Sequence, residues 1–208
     1  MCIRDRAQET RVLATTGMIA DIVKNLAGEH VEVESLMGPG IDPHAYRATH
    51  GDIKKLKQAE IIFHNGLALE GKMEQIFEKL AKKKVVIAVA SSIPKEQLLA
   101  AEDYQDAFDP HVWFDASLWA EAVKQVELTL VKALPEKASE IKAASSAYQK
   151  TLSGLDAWGK EQIALVPKEK RLLVTAHDAF RYMERRYGIE VMGLQGISSA
   201  SDLSLIHI

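Results

Sequence analysis

The chain has 208 residues, 47% of them hydrophobic and 26% charged, with a formal charge of −3 at pH 7. That mild acidity disfavours nucleic acid as a main partner, and no apolar run reaches the roughly 18 residues of a membrane span. The composition is that of a globular chain, long enough for one large domain or two small ones.

Both ends read as foreign to the protein. The DNA ATGTGTATAAGAGACAG encodes Met-Cys-Ile-Arg-Asp and the first two bases of an Arg codon. Its reverse complement, followed by C, encodes Leu-Ser-Leu-Ile-His-Ile. MCIRDR (1–6) and LSLIHI (203–208) are therefore one DNA sequence read on opposite strands, and it resembles a transposase adapter used in library preparation. Setting these ends aside removes Cys2, the only cysteine, and His207 from the argument. Six histidines remain, and disulfides, thiolate metal sites and cysteine nucleophiles are excluded.

In chain order, Arg11 to Thr16 reads as a buried strand. Thr16-Gly17 opens an amphipathic helix with Ile19, Ile22, Val23 and Leu26 at helical spacing, ended by Gly28. Val31 to Leu36 alternates as a half-exposed strand and leads into GPGIDPHAY (38–46), with His44 inside it. A second helix carries Ile53 and Leu56 inward. Strand Ile61 to Phe63, helix Met73 to Ala81 and strand Val85 to Val89 follow, an alternation that predicts a parallel α/β sheet. Residues 91–108 read as a surface loop ending at DPHVWF (109–114).

Ser117 to Leu134 is an expected helix stopped by Pro135. From Glu136 to about Leu165, Ile141, Ala144, Tyr148, Leu152 and Leu155 recur at helical spacing. A helix of about 30 residues spans roughly 45 Å, enough to run the length of a two-lobed molecule. Strand Arg171 to Thr175, helix Ala179 to Tyr187 and strand Ile189 to Met192 restart the alternation, with His177 in VTAHDAF (174–180). The expected division is 7–135 for an N-terminal α/β lobe carrying His44 and His111, 136–166 for a linking backbone helix and 167–202 for the start of a second, incomplete α/β lobe.

His44 and His111 lie 67 residues apart, and His111 and His177 lie 66 apart, so only the fold can bring them together. Each follows a strand, on the edge of an α/β sheet where ligands collect. Three neutral imidazoles without cysteine suit zinc, or manganese if carboxylates complete the set. His30, His50 and His64 read as a turn residue, a helix start and a strand end. Asp42 and Asp109, each followed by Pro and two residues before a His, read as Asx turn formers, and Trp113, Phe114 and Trp119 as core.

The stretches TTGMIADIV, GPGIDPHAY, GDIKKLKQAEIIFHNGLALEGKM, DPHVWFD, LLVTAHDAF and YGIEVMGLQGISSASD resemble the TroA/ZnuA-type (cluster A-I) solute-binding proteins of bacterial zinc and manganese ABC transporters. The resemblance implies two α/β lobes joined by one backbone helix, with His44, His111 and His177 as the first three metal ligands and an Asp from a later loop as the fourth. It implies a non-enzymatic receptor that passes Zn2+ or Mn2+ to a membrane permease, uses no catalytic cofactor, works as a monomer, and resides in the periplasm or on the outer cell face, where a lipid anchor is compatible with it. His177, where many manganese members have Glu, leans toward zinc. The usual Pro after Arg47 is Ala48 here, and 91–108 lacks the His-rich acidic loop of dedicated zinc members, which favours the TroA-like branch. The competing readings are a zinc hydrolase, for which Asp178 is the adjacent base, and a metal-stabilised adhesin. A single long connecting helix is expected to resist wide hinge closure.

Overall fold

The computed structural model describes residues 9–101, 106–194 and 196. The terminal segments 1–6 and 203–208, read above as adapter, lie outside the described residues.

Four parallel strands form the first sheet: β1 (Thr10–Ala14), β2 (Val31–Ser35), β3 (Ile61–His64) and β4 (Val85–Ala88), in the order β2-β1-β3-β4. Val12 pairs with Val33 on one side and Ile61 on the other, so β1 is central. A parallel sheet needs cover on both faces, and the alternation in its middle strands supplies it. Val12, Ala14, Ile61 and Phe63 face helices α1 (Gly17–Ala27) and α4 (Ala116–Ala133), while Leu13 and Ile62 face Leu56 of α2 (His50–Gln58) and Phe77 of α3 (Glu74–Ala81). Helix α2 starts at a full capping box: Thr49 Oγ1 accepts the Asp52 N–H while Asp52 accepts the Thr49 N–H, satisfying two otherwise orphaned donors. Its far end is capped by the Lys84 ammonium, which donates to the carbonyls of Leu56 and Lys57 at 3.0 and 2.8 Å.

The long helix α5 (Ala138–Ala164) has 27 residues, about 40 Å at 1.5 Å per residue. It begins two residues later than the apolar spacing suggests, because Pro135–Lys137 forms a separate 3-10 turn. Ile141 and Leu152 are buried against the first lobe, and Tyr148 Oη donates to Asp21 Oδ2 of α1 at 2.8 Å. Leu155 and Trp158, farther along, are exposed. The expected loop 91–108 is not featureless: 3-10 turns occupy Val89–Ser92 and Lys95–Gln97, and Ala100 bridges Phe108.

Strand β5 (Leu172–Thr175), helix α6 (Arg181–Tyr187) and strand β6 (Glu190–Gly193) make a second parallel pair. Gly188 ends α6 in the left-handed conformation, the geometry expected of a helix-terminating glycine. A bidentate pair ties α6 to α5: Arg186 Nε and Nη2 reach the two Asp156 oxygens, each at 2.7 Å. Arg186, helped by Lys160, holds the Asp156 carboxyl down to about 2. Both lobes thus grip the same helix. Among the described residues no helix is long and apolar enough to cross a membrane.

In one turn of the first lobe, position 66 suits glycine alone. After β3 the chain passes Gly66, Leu67 and Ala68, all at positive φ, and a Cβ on Gly66 would lie 2.9 Å from the Ala88 Cβ. Gly66→Ala is expected to cost roughly 1–3 kcal/mol, since a side chain there meets both backbone strain and a neighbour. Urea denaturation should show a lower midpoint, and an unchanged midpoint would contradict this.

Candidate metal centre

Each of the three histidines is delivered by the end of a strand. Beyond β2, Leu36 and Met37 still donate to the carbonyls of Ala14 and Thr15 at 2.8 and 2.9 Å, which carries the chain along the sheet before Gly38, Pro39 and Gly40 turn it. Asp42 Oδ1 then accepts the His44 N–H at 2.9 Å, and Tyr46 Oη donates to Asp52 Oδ2 at 2.8 Å, anchoring the His44 loop to the cap of α2. His177 follows β5 by two residues, and its carbonyl accepts from Thr175 Oγ1 at 2.9 Å and from the Ala179 N–H at 3.0 Å. Gly193 makes room for this turn, because a Cβ there would stand 2.8 Å from the Asp178 backbone.

His111 is the most firmly held. Asp109 Oδ1 accepts its N–H at 2.9 Å and faces its Nδ1 at 2.8 Å. A carboxylate in that position favours the tautomer with the proton on Nδ1 and leaves Nε2 as a lone-pair donor. Asp109 is fully buried, so a sequence reading of a simple turn former understates it; it does form the Asx turn, and it also orients the ring. The Asn65 amide donates to the neighbouring Pro110 carbonyl at 3.0 Å, and Asn65's own N–H donates to the buried Glu70 carboxylate at 2.8 Å. The Tyr182 hydroxyl donates to the Asp109 carbonyl at 2.9 Å.

These supports bring the rings together. Centroids of His44 and His111 are 5.1 Å apart, His44 and His177 5.9 Å, and His111 and His177 5.4 Å. One nitrogen from each lies within 4.8 Å of the other two, and His44 Nε2 faces His111 Nε2 at 3.1 Å. Tetrahedral ligands at about 2.0–2.1 Å from zinc stand roughly 3.4 Å apart, so the spacing suits a shared cation. The three border a cavity of about 400 Å³. Trp113 and Phe114, expected in the core, pack against it half-buried: Trp113 meets the His111 ring edge-on at 5.3 Å, and Phe114 packs on Phe180 at 4.2 Å, so aromatics from both lobes wall the cavity. Trp119 is core.

The other histidines stay apart from this group. His30 pairs with Glu140 at 2.9 Å, His50 opens α2, and His64 stacks on Phe77 with ring centroids 4.4 Å apart. Asp178 sits 3.8 Å from Arg181 Nε.

Burial, and then the proximity of His111, lowers the His44 pKa to about 4, and the same two causes lower His177. The neutral imidazole that a metal requires is thus the favoured form well below the ordinary value of 6.5.

The model of the ZnuA family, described as the periplasmic component A of a zinc-uptake complex, matches residues 12–208. The chain belongs to the ZnuA family. The manganese-binding lipoprotein MntA of Bacillus subtilis (strain 168) is 47% identical over 198 residues, which are 95% of this chain and 64% of MntA. The zinc-binding protein TroA of Treponema pallidum (strain Nichols) is 50% identical over 193 residues, 93% of this chain and 62% of TroA. This ZnuA-family chain therefore spans a little under two thirds of the length of these relatives. The solved periplasmic zinc binding protein TroA from Treponema pallidum superposes with a TM-score of 0.92 at 49% identity, covering 95% of this chain and 70% of that one. Fe(III)-bound YtgA from Chlamydia trachomatis gives 0.84 at 26% identity, covering 94% and 73%. The two-lobed α/β architecture joined by a long helix is that of the family.

The lowered pKa values carry a sign. Between the unfolded value of 6.5 and about 4, the unfolded chain binds protons that folded His44 does not, so the metal-free fold loses stability as pH falls through that window. His44's own protonation is therefore expected to oppose metal binding only near 4, lower than an unperturbed imidazole would give. An NMR titration of the His44 ring in the metal-free protein checks this, and a midpoint at 6.5 would contradict it.

Proposed function

We propose that this chain is the metal-capturing part of an extracytoplasmic receptor that takes a divalent transition metal, Zn2+ or Mn2+, and delivers it to an ABC permease. The cation is the cargo, held between the lobes by His44, His111 and His177. The observation that carries the reading is the meeting of three imidazole nitrogens from segments 66–67 residues apart, with the His111 ring oriented by a fully buried carboxylate. Membership of the ZnuA family supports transport over catalysis or adhesion.

In this reading, 7–135 is the N-terminal metal-binding lobe, 136–166 the connector and 167–202 the start of the second lobe. Imidazole nitrogen is a borderline donor that zinc accepts readily, and manganese prefers carboxylate oxygens beside it. The described residues place no carboxylate within the group of three. The Asp that the resemblance assigns to a later loop of the second lobe would complete the set and decide how well manganese competes. The zinc-binding and manganese-binding relatives are 50% and 47% identical, so overall similarity leaves the choice to that donor set. The receptor acts on the outer side of the cytoplasmic membrane, a location that the family's periplasmic description and the lipoprotein relative support, and this reading takes it to work there as a monomer.

A competitive zinc and manganese titration tests the reading. One tight site per chain is expected. His44→Ala should weaken it by more than the roughly 10–100-fold that loss of an orienting partner costs. A tight site unaffected by His44→Ala would refute the ligand assignment. Asp109→Asn should fall within that outer-shell range, because the neutral amide still accepts from Nδ1 but no longer raises the basicity of the ring. Wild-type affinity in Asp109→Asn would remove Asp109 from the site.

A further inference from the structure

The His111 loop is pinned at two consecutive carbonyls, from opposite lobes. Asn65, at the end of β3, holds the Pro110 carbonyl at 3.0 Å. Tyr182, on α6, holds the Asp109 carbonyl at 2.9 Å and accepts the Leu99 N–H at 3.1 Å. Tyr182 is fully buried and lies five residues after His177 on the same short stretch of chain. Two other contacts of α6 with this loop, Arg181 to the Ala100 carbonyl and Arg185 to the Gln97 carbonyl, both at 2.8 Å, lie at the exposed rim. Tyr182 is the buried one.

We infer that the Tyr182 hydroxyl is a positioning group for the metal site, locking the segment that carries His177 to the loop that carries His111. The inference rests on the reading of the three histidines as metal ligands. Its path is short: the hydroxyl fixes the Asp109 main chain, the Asp109 carboxylate fixes the His111 ring, and α6 fixes the turn that carries His177. A hydrogen bond inside a fully buried contact has no water to replace it, so removing the hydroxyl leaves the Leu99 N–H and a lone pair of the Asp109 carbonyl unserved. The loop would then shift relative to His177, and with it the distance between donors from the two lobes. Orienting groups around metal sites typically contribute about 10–100-fold in affinity, and the same range is expected here.

The test is Tyr182→Phe in the full chain, which keeps the ring that fills the core and deletes only the hydroxyl. Tyr148→Phe is the control: it deletes a phenol contact between α5 and α1, to Asp21, away from the histidines. With Co2+ as the probe, wild type and Tyr148→Phe should share one tight affinity and one visible ligand-field spectrum. Tyr182→Phe should bind about 10–100-fold more weakly with shifted bands, at unchanged far-ultraviolet dichroism. Wild-type affinity and spectrum in Tyr182→Phe would overturn the inference while leaving the metal site intact. Absence of tight Co2+ and Zn2+ binding in wild type would instead overturn the reading beneath it. If Tyr182→Phe does not fold, hydrogen exchange on wild type decides: Zn2+ should slow exchange of the Leu99 amide, and an unchanged rate would overturn the proposed lock.

Discussion

Parallel strands that start at one edge of a sheet all finish at the other, and this shared polarity allows residues 66–67 positions apart to meet. His44 follows β2, His111 comes after β4 and a long connection, and His177 follows β5. The hydrophobic patterning that seals both faces of the first sheet is therefore also what sets the position of two of the three imidazoles. The second sheet brings the third only because α5 and α6 are fixed to one another. The Arg186–Asp156 fork supplies that fixing, and the buried Tyr182 hydroxyl ties α6 to the His111 loop as well.

Holding three imidazoles this close has a cost in the absence of a cation. Partial burial removes water from His44, and its neighbours repel any proton it takes up, which is why its pKa falls to about 4. The same environment excludes the proton that would compete with a metal. Support is uneven across the three. His111 has a buried carboxylate on its Nδ1 and clamps on the carbonyls just before it, while Asp42 and Thr175 bond to the main chain of His44 and His177. His111 is thus the best supported of the three. In the proposed receptor, a donor set arranged in advance would leave little ordering for the metal to drive.

Much of this was legible in the sequence. Strand and helix alternation, the long helix and the three histidines after strands all follow from residue spacing, and the family architecture agrees with the alternation and the long helix. Strand ends fall a residue or two inside the apolar runs: Thr15, Leu36 and Val89 are buried without belonging to a strand, and Thr15 and Leu36 still bond to the main chain of Phe63 and Ala14 beyond the strand ends. What spacing could not reveal is the surroundings of each polar group. Asp42 and Asp109 sit in the same Asp-Pro-His motif and make the same turn, yet only Asp109 is sealed from water beside an imidazole. Asn65 resembles a loop residue and Tyr182 a helix core residue until the fold sets both against one loop. Trp113 and Phe114 pack against the core and also wall the cavity, and spacing does not separate the two roles: an aromatic that walls a cavity has the same sequence signature as one that fills a core.

The account depends on one shared cation with three imidazole ligands. X-ray absorption at the zinc edge of the loaded protein measures that directly. Three nitrogen scatterers at about 2.0–2.1 Å with imidazole multiple scattering, reduced to two in His177→Ala, are the expected result. An unchanged imidazole count in that variant, or a first shell dominated by oxygen, would contradict the site described.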